Sequence, residues 1–203
     1  MNVKSEKTVV GLTGGIACGK SSALCSFADM GWSVISADFL AGEILRSDRC
    51  VQAKIKQRWG KKILNRSGSI DKAAIARIVF TKELERKWIE GILHPIIRSK
   101  WISFVQSCPS SKCMIELPLL FENNLQDNFT CTISLFAPTP MIFHRLQSRG
   151  LSMAESESRI RCQLPISDKV ELSDFVLWGG GSMEFLNDQI QQLDLTLSSL
   201  SIH

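Results

Sequence analysis

The chain has no C-x-x-C pair, no apolar stretch long enough to cross a bilayer and no dense run of basic residues. Each absence removes a class of protein. Seven cysteines, an odd number without metal-ligand spacing, point to reduced and mostly buried thiols in a cytoplasmic protein. A disulfide framework or a zinc site would need a different pattern. The opening MNVKSEKT lacks the apolar region of a secretory signal, and no segment reads as a membrane span. A formal net charge of +4 suits a phosphorylated substrate and speaks against nucleic acid. There is no internal repeat and no low-complexity tract, and nothing calls for an obligate protein partner.

What is present is concentrated between Thr8 and Ser22, in TVVGLTGGIACGKSS. Val9, Val10 and Leu12 make one short buried strand. It breaks into Gly14-Gly15-Ile16-Ala17-Cys18-Gly19-Lys20-Ser21, which fits G-x-x-x-x-G-K-[ST]. Leu24, Phe27 and Ala28 then recur at helical spacing. Strand, glycine loop and helix together form a phosphate-binding unit. Its glycines let backbone N–H groups turn inward onto phosphate oxygens, and the helix adds the positive end of its dipole. Lys20 is expected to reach the terminal phosphates, and Ser21 to ligate a bridging magnesium ion. Gly14 to Ser22, with Ser22 closing the stretch, form the expected nucleotide cradle.

At 203 residues and 44% hydrophobic, the chain can bury one sizeable core, so residues 1–203 read as a single domain carrying an insertion. Ser33-Val34-Ile35-Ser36-Ala37 is a second strand and ends in Asp38. Ligands of open α/β sheets lie outside the carboxyl ends of the strands, so Asp38 and the glycine loop are expected to share a crevice. A carboxylate there orients or deprotonates an attacking hydroxyl; as a plain helix N-cap it does neither, and position alone leaves both open. Residues 39–111 show helical periodicity only. Asp71 and Thr81 read as helix caps, and Pro95, after His94, reads as the first turn of a fresh helix. Lys54, Lys56, Arg58, Lys61 and Lys62 read as a solvated face, and His94 and Arg98 as structural or substrate-facing.

Strand character returns at Lys112–Leu117, where Glu116 is either a magnesium–water contact or a structural acceptor. Thr130–Ala137 is a fourth strand, followed by Thr139 as N-cap with Pro140 at the first helical position. Arg145 and Arg149 lie one helical step apart, and Gly150 ends their helix. Ser152 and Glu155 form a capping box for a helix with Arg159, Arg161 and Gln163, ended by Pro165. Two helices with four arginines hinged at a glycine suit a lid over transferring phosphates, set against ordinary surface charge. Phe175–Trp178 is the fifth strand, and Ser182 caps the last helix after Gly179-Gly180-Gly181.

The whole is α/β: a parallel five-stranded sheet with helices on both faces, a helical acceptor-binding insert and a helical lid. The core is placed at 1–38 and 112–203, the insert at 39–111 and the lid at about 140–165. N-K-x-D and D-x-x-G are absent, which removes a GTPase switch, and L-S-G-G-Q is absent, which removes a transport ATPase. A small-molecule kinase fits. The alternatives are a nucleoside monophosphate kinase and a phosphate-loop regulatory module without phosphoryl transfer.

Over Val9 to about Leu193 the sequence resembles the dephospho-CoA kinase family. The resemblance rests on VGLTGGIACGKSS, ISADFLAGEIL, GSIDKAAIARIVF, LHPIIR, PLLFE and RIRCQLP at their separations. It implies ATP on Gly14 to Ser22 with magnesium near Ser21, and transfer to the ribose 3′-hydroxyl of dephospho-CoA, giving coenzyme A and ADP. Asp38 matches the family's acid at that hydroxyl, and Arg145, Arg149 and Arg159 would lie in or beside the lid. The acceptor would meet Asp38, His94, Arg98, Glu116 and Gln163. Four positions depart from the pattern: Glu116 for an aspartate, Cys18 within the loop, and Trp178-Gly179 for Asp-Asn near the nucleobase.

Overall fold

The computed structural model describes residues 7–200. In chain order the elements are β1 (Thr8–Gly14), α1 (Lys20–Asp29), β2 (Ser33–Ser36), α2 (Ala37–Ser47), α3 (Arg49–Trp59), α4 (Lys72–Val79) and α5 (Glu83–Ser107). β3 (Lys112–Glu116), β4 (Cys131–Phe136), α6 (Thr139–Ser148), α7 (Met153–Arg161), α8 (Ile166–Leu172), β5 (Phe175–Trp178) and α9 (Met183–Leu200) follow. One unit takes the chain up to Ser36 and from Ile102 onward; a second takes Ala37–Trp101.

The first unit is built on a five-stranded sheet, order β2-β3-β1-β4-β5, with every pair parallel. Leu12 of the central strand lies opposite Glu116 and Ile133. The strands read as nearly continuous apolar runs because both faces are covered. On one face Val10, Leu12, Met114, Ile133 and Leu135 join Phe27 of α1, Ile142 and Leu146 of α6, and Ile190 of α9 in one core. On the other, Leu120 and Phe129 press so closely on Gly11 that a Cβ there would lie within 2.6 and 2.9 Å of them. The Ser134 hydroxyl donates to Lys169 O at 3.0 Å and fixes α8 over that second face.

A buried ion pair locks α8 in place. The Lys169 side chain is wholly buried; its Nζ donates to Pro118 O at 2.6 Å and pairs with Glu122 Oε1 at 2.9 Å. The same Oε1 accepts the Leu164 N–H at 2.9 Å. An ammonium out of water is tolerable only with such partners. The turn after β3 is thereby tied to the chain between α7 and α8.

In the second unit, Asp48 accepts Val51 N–H at 3.0 Å and caps α3, and Asp71 accepts Ala73 N–H at 2.8 Å and caps α4, as its sequence position predicts. Glu85 receives Arg58 Nε at 2.7 Å and the Trp59 indole N–H at 2.7 Å. Those hydrogen bonds, Arg58 first, hold its carboxyl below the usual carboxylate range. Lys54, Lys56, Lys61 and Lys62 are exposed, as a solvated face requires.

Four boundaries differ from the sequence reading; the first is Ala37, read as the last residue of the second strand, which instead opens α2 and puts Asp38 inside that helix. Pro95 opens no new helix; α5 runs unbroken through it from Glu83 to Ser107. A helix-interior proline costs about 3 kcal/mol, whereas each buried large apolar side chain contributes about 1.5–3 kcal/mol. Ile89, Ile97, Trp101 and Val105 of this helix are all buried, so packing wins. Thr81 caps nothing ahead of it: its hydroxyl donates back to Arg77 O at 2.8 Å and Ile78 O at 3.1 Å, closing α4. Thr139 is already helical, with Pro138 in the N-cap position. The Ser152–Glu155 capping box and the Ser182 cap are present as read.

Lys169→Met strands the Glu122 carboxylate in a buried site. Urea unfolding is expected to show a loss of about 3–5 kcal/mol. A loss below about 1 kcal/mol would mean that the pair does not hold α8.

Candidate active site

The end of β1, the loop after it and the start of α1 are shaped by two glycines. Gly14 has φ +134°, and any Cβ there would run into the backbone of Leu135 on the neighbouring strand. Gly19 has φ 101° and takes the N-cap position of α1 in the left-handed conformation. Between them the loop is closed by Cys18 N–H to Gly15 O at 3.3 Å, and Ala17 is held at φ 59°.

α1 starts with neither a side-chain cap nor an acidic residue in its first turn. Its leading N–H groups, at Lys20, Ser21 and Ser22, have no preceding turn to bond to, and the helix dipole is positive there. This is an anion-binding end. Lys20 is 8% exposed and donates from Nζ to Gly14 O at 3.2 Å and Gly15 O at 2.8 Å. The loop's own carbonyls thus hold a cation against the loop. The Ser21 side chain is exposed at the helix start.

The loop is braced from behind. Gly179, just beyond β5, donates its N–H to Phe136 O at 2.7 Å and packs so tightly on the Cys18 carbonyl that no side chain fits between them. Arg145 of α6 forks across the same junction, with Nη1 on Ala17 O at 2.9 Å and Nη2 on Gly179 O at 2.8 Å. From α8, Ile166 meets the position a Gly15 Cβ would occupy at 3.5 Å. Cys18 is fully buried, and burial pushes its thiol up despite the nearby Lys20 charge. It stays protonated, so the loop carries no reactive thiolate.

The structure brings Gly14, Gly15, Ile16, Ala17, Cys18, Gly19, Lys20, Ser21 and Ser22 together as one cradle, with Arg145 bound to its backbone. Glu116 is buried at the end of β3, opposite Leu12 and Ser36, at the same end of the sheet as Gly14. Arg149 is exposed just past α6, and Arg159 is half-buried on α7. Gln163 follows α7, one residue before the Leu164 N–H that Glu122 holds. In the second unit Asp38 is exposed in the first turn of α2, while His94 is half-buried and Arg98 exposed on α5. Sequence reasoning missed Gly179 and the Lys169–Glu122 pair as supports. The glycine triplet signalled a turn but not its contact, and a lysine inside a helix reads as surface.

A family model for dephospho-CoA kinase matches residues 8–184. The dephospho-CoA kinase of Gloeobacter violaceus is 37% identical over 92% of this chain and 91% of its own. That of Thermosynechococcus vestitus is 32% identical over 90% and 91%. Among solved structures, dephospho-CoA kinase from Campylobacter jejuni superposes with a TM-score of 0.64 at 25% identity, covering 95% of this chain and 98% of that one. Shikimate kinase from Acinetobacter baumannii, at 12% identity and TM-score 0.53 over 97% and 96%, shares the fold alone.

Gly179→Ala places a methyl group where the Cys18 carbonyl lies. In titration calorimetry the affinity for a nucleoside triphosphate is expected to fall at least about tenfold, or about 1.4 kcal/mol, with the circular dichroism spectrum unchanged. Unaltered affinity would contradict the bracing role of this contact.

Proposed function

The chain belongs to the dephospho-CoA kinase family, and from that premise we propose how its own residues carry the reaction. The enzyme is a kinase that uses ATP to phosphorylate dephospho-CoA in coenzyme A biosynthesis. The observation that carries the assignment of roles is the uncapped, glycine-shaped start of α1 with Lys20 poised on the loop carbonyls. The ATP phosphates lie along the N–H groups of 14–22, and Lys20 leaves its carbonyl partners for the γ-phosphate. Arg145 preorganises the loop through Ala17 and Gly179, while Arg149 and Arg159 close over the transferring group as parts of a lid at about 140–165.

Asp38 orients the ribose 3′-hydroxyl of the acceptor and takes its proton as the oxygen attacks in line. Its support is the match of ISADFLAGEIL to the family and its exposure in the first turn of α2. His94, Arg98 and Gln163 bind the acceptor, and residues 39–111 shape its site. Magnesium suits the donors available: Ser21 offers a hydroxyl and Glu116 a carboxylate, both hard oxygens. Among the described residues no group of three or more His, Cys, Asp or Glu side chains is placed to favour another metal. Ser21 and Glu116 would hold magnesium bound with ATP, which would supply charge neutralisation to the transferring phosphate. Among the described residues no helix is long and apolar enough to cross a membrane. A cytoplasmic location agrees with seven cysteines that are all unpaired.

Two substitutions separate the roles. Lys20→Ala is expected to lower kcat by several orders of magnitude with the fold intact, since most of the catalysis is charge placement. Near wild-type turnover would overturn the loop assignment. Asp38→Asn is expected to leave ATP binding unchanged in calorimetry and lower kcat by about 10² or more. A collapse of ATP affinity would instead make Asp38 part of the nucleotide site.

A further inference from the structure

On the side of the phosphate loop away from β2 and β3, the carboxyl ends of β4 and β5 present an exposed aromatic ring. Alternation along β5 buries Leu177 and leaves Trp178, at the end of the strand, 37% exposed. Trp178 is in register with Phe136 of β4, and the two rings meet at 5.2 Å between centroids, tilted by 45°. The indole also lies against Gly180: a Cβ there would fall 2.8 and 2.9 Å from two of its carbons and 2.9 Å from Pro138 Cδ. The ring is thus seated on Phe136 and Gly180, with the rest of its surface open. An exposed tryptophan by itself is ordinary. This one adjoins the loop, because Gly179 packs on the Cys18 carbonyl and Arg145 joins Gly179 O to Ala17 O.

The polar groups of this corner are already engaged. Gln189 of α9 accepts the Trp178 N–H through Oε1 at 2.8 Å and donates from Nε2 to Trp178 O at 3.1 Å; the same amide donates to Phe185 O at 3.2 Å. Gly179 N–H goes to Phe136 O at 2.7 Å, and Gly179 O receives Arg145 Nη2 at 2.8 Å. Each main-chain N–H and C=O of residues 178 and 179 therefore has a protein partner. The side chains there are an indole and a hydrogen atom, where the family pattern has Asp-Asn with hydrogen-bonding groups on both. Telling one base from another takes donors and acceptors matched to its edge, whereas stacking uses the ring face that every base has.

We propose that Trp178 is the stacking platform for the base of the phosphoryl donor, and that the donor site takes nucleoside triphosphates with little regard to which base they carry. The inference rests on the assignment of Gly14 to Ser22 to the donor phosphates. In-line transfer places donor and acceptor on opposite sides of the transferring group. Asp38, assigned to the acceptor hydroxyl, comes two residues after Ser36 ends β2, and Glu116 ends β3. The acceptor therefore belongs to the β2–β3 side of β1. The nucleoside leaves the loop toward β4 and β5, where Trp178 offers its ring. Gln189 holds the backbone of Trp178 and Phe136 backs its indole, so little order is lost when a base stacks there. Purines cover more of the indole than pyrimidines, which sets the small preference that remains.

Titration calorimetry of the full chain with ATP, GTP, CTP and UTP, each with Mg²⁺, tests this, with inorganic tripolyphosphate as the probe that has no base. The four affinities are expected to lie within about tenfold of one another, purines first, and all four triphosphates to yield coenzyme A from dephospho-CoA. Trp178→Ala is expected to weaken all four by about tenfold, within the range a stacked base contributes, and to leave tripolyphosphate binding unchanged. Trp178→Phe keeps a ring face and is expected to retain most of the affinity. A preference for ATP over GTP and CTP beyond about tenfold would overturn the proposal, and the unsubstituted chain alone decides that point. Unchanged binding in Trp178→Ala, or a loss of tripolyphosphate together with the nucleotides, would overturn the stacking role. A chain that bound none of the four would overturn the loop assignment and this inference with it, whereas selectivity for one base would overturn this inference alone.

Discussion

The structure depends on keeping one helix end open. Helix starts are commonly closed by a side chain or an acid in the first turn, as α3, α4 and α7 are by Asp48, Asp71 and the Ser152–Glu155 box. α6 lacks both but places a proline, which has no N–H to satisfy, in its first turn. α1 has none of these. Leaving its N–H groups to an anion costs stability until phosphate arrives, so the surrounding chain must hold the loop in shape without filling it. Arg145 and Gly179 do this through its backbone, and Lys20 adds a charge that the loop's own carbonyls keep in place. The supports bond to backbone, so the polar groups that face the ligand stay available.

The second constraint is the buried Lys169–Glu122 pair. It joins the PLLFE turn after β3 to the chain between α7 and α8, through Pro118 O on one side and Leu164 N–H on the other. Two sequence segments that mark the family, PLLFE and RIRCQLP, are therefore in contact in the fold. α7 ends at Arg161, and the anchor grips the chain just beyond it, at Leu164. Its charge-assisted hydrogen bonds are directional, so they fix the position of that segment against the turn after β3.

The sheet was legible in the sequence, and so was the cradle. All five strands were visible because their apolar runs are short, flanked by turn residues and spaced by helical segments, and parallel pairing follows from that alternation. The cradle was visible because glycine, lysine and serine are required at fixed spacing by its chemistry. Pro95 misled because local propensity was judged without the burial of Ile97, Trp101 and Val105 that carries the helix through it. Thr81 misled because two backbone carbonyls behind it lie within reach of its hydroxyl, and Thr139 because the helix begins one residue earlier than its cap-like pattern suggests. Arg145 was read as a lid cation from its spacing to Arg149; its grip on Ala17 O and Gly179 O is a long-range fact that no local pattern encodes. Lys169 was invisible for the same reason, since a buried lysine is defined only by the partners that the fold brings to it.

The most direct test of the account is acceptor-dependent ADP release from ATP and Mg²⁺, with dephospho-CoA, AMP, CMP and no acceptor run in parallel. The account predicts release with dephospho-CoA alone, with coenzyme A among the products. Release driven by AMP or CMP, or silence with dephospho-CoA from a chain that binds ATP, would contradict it.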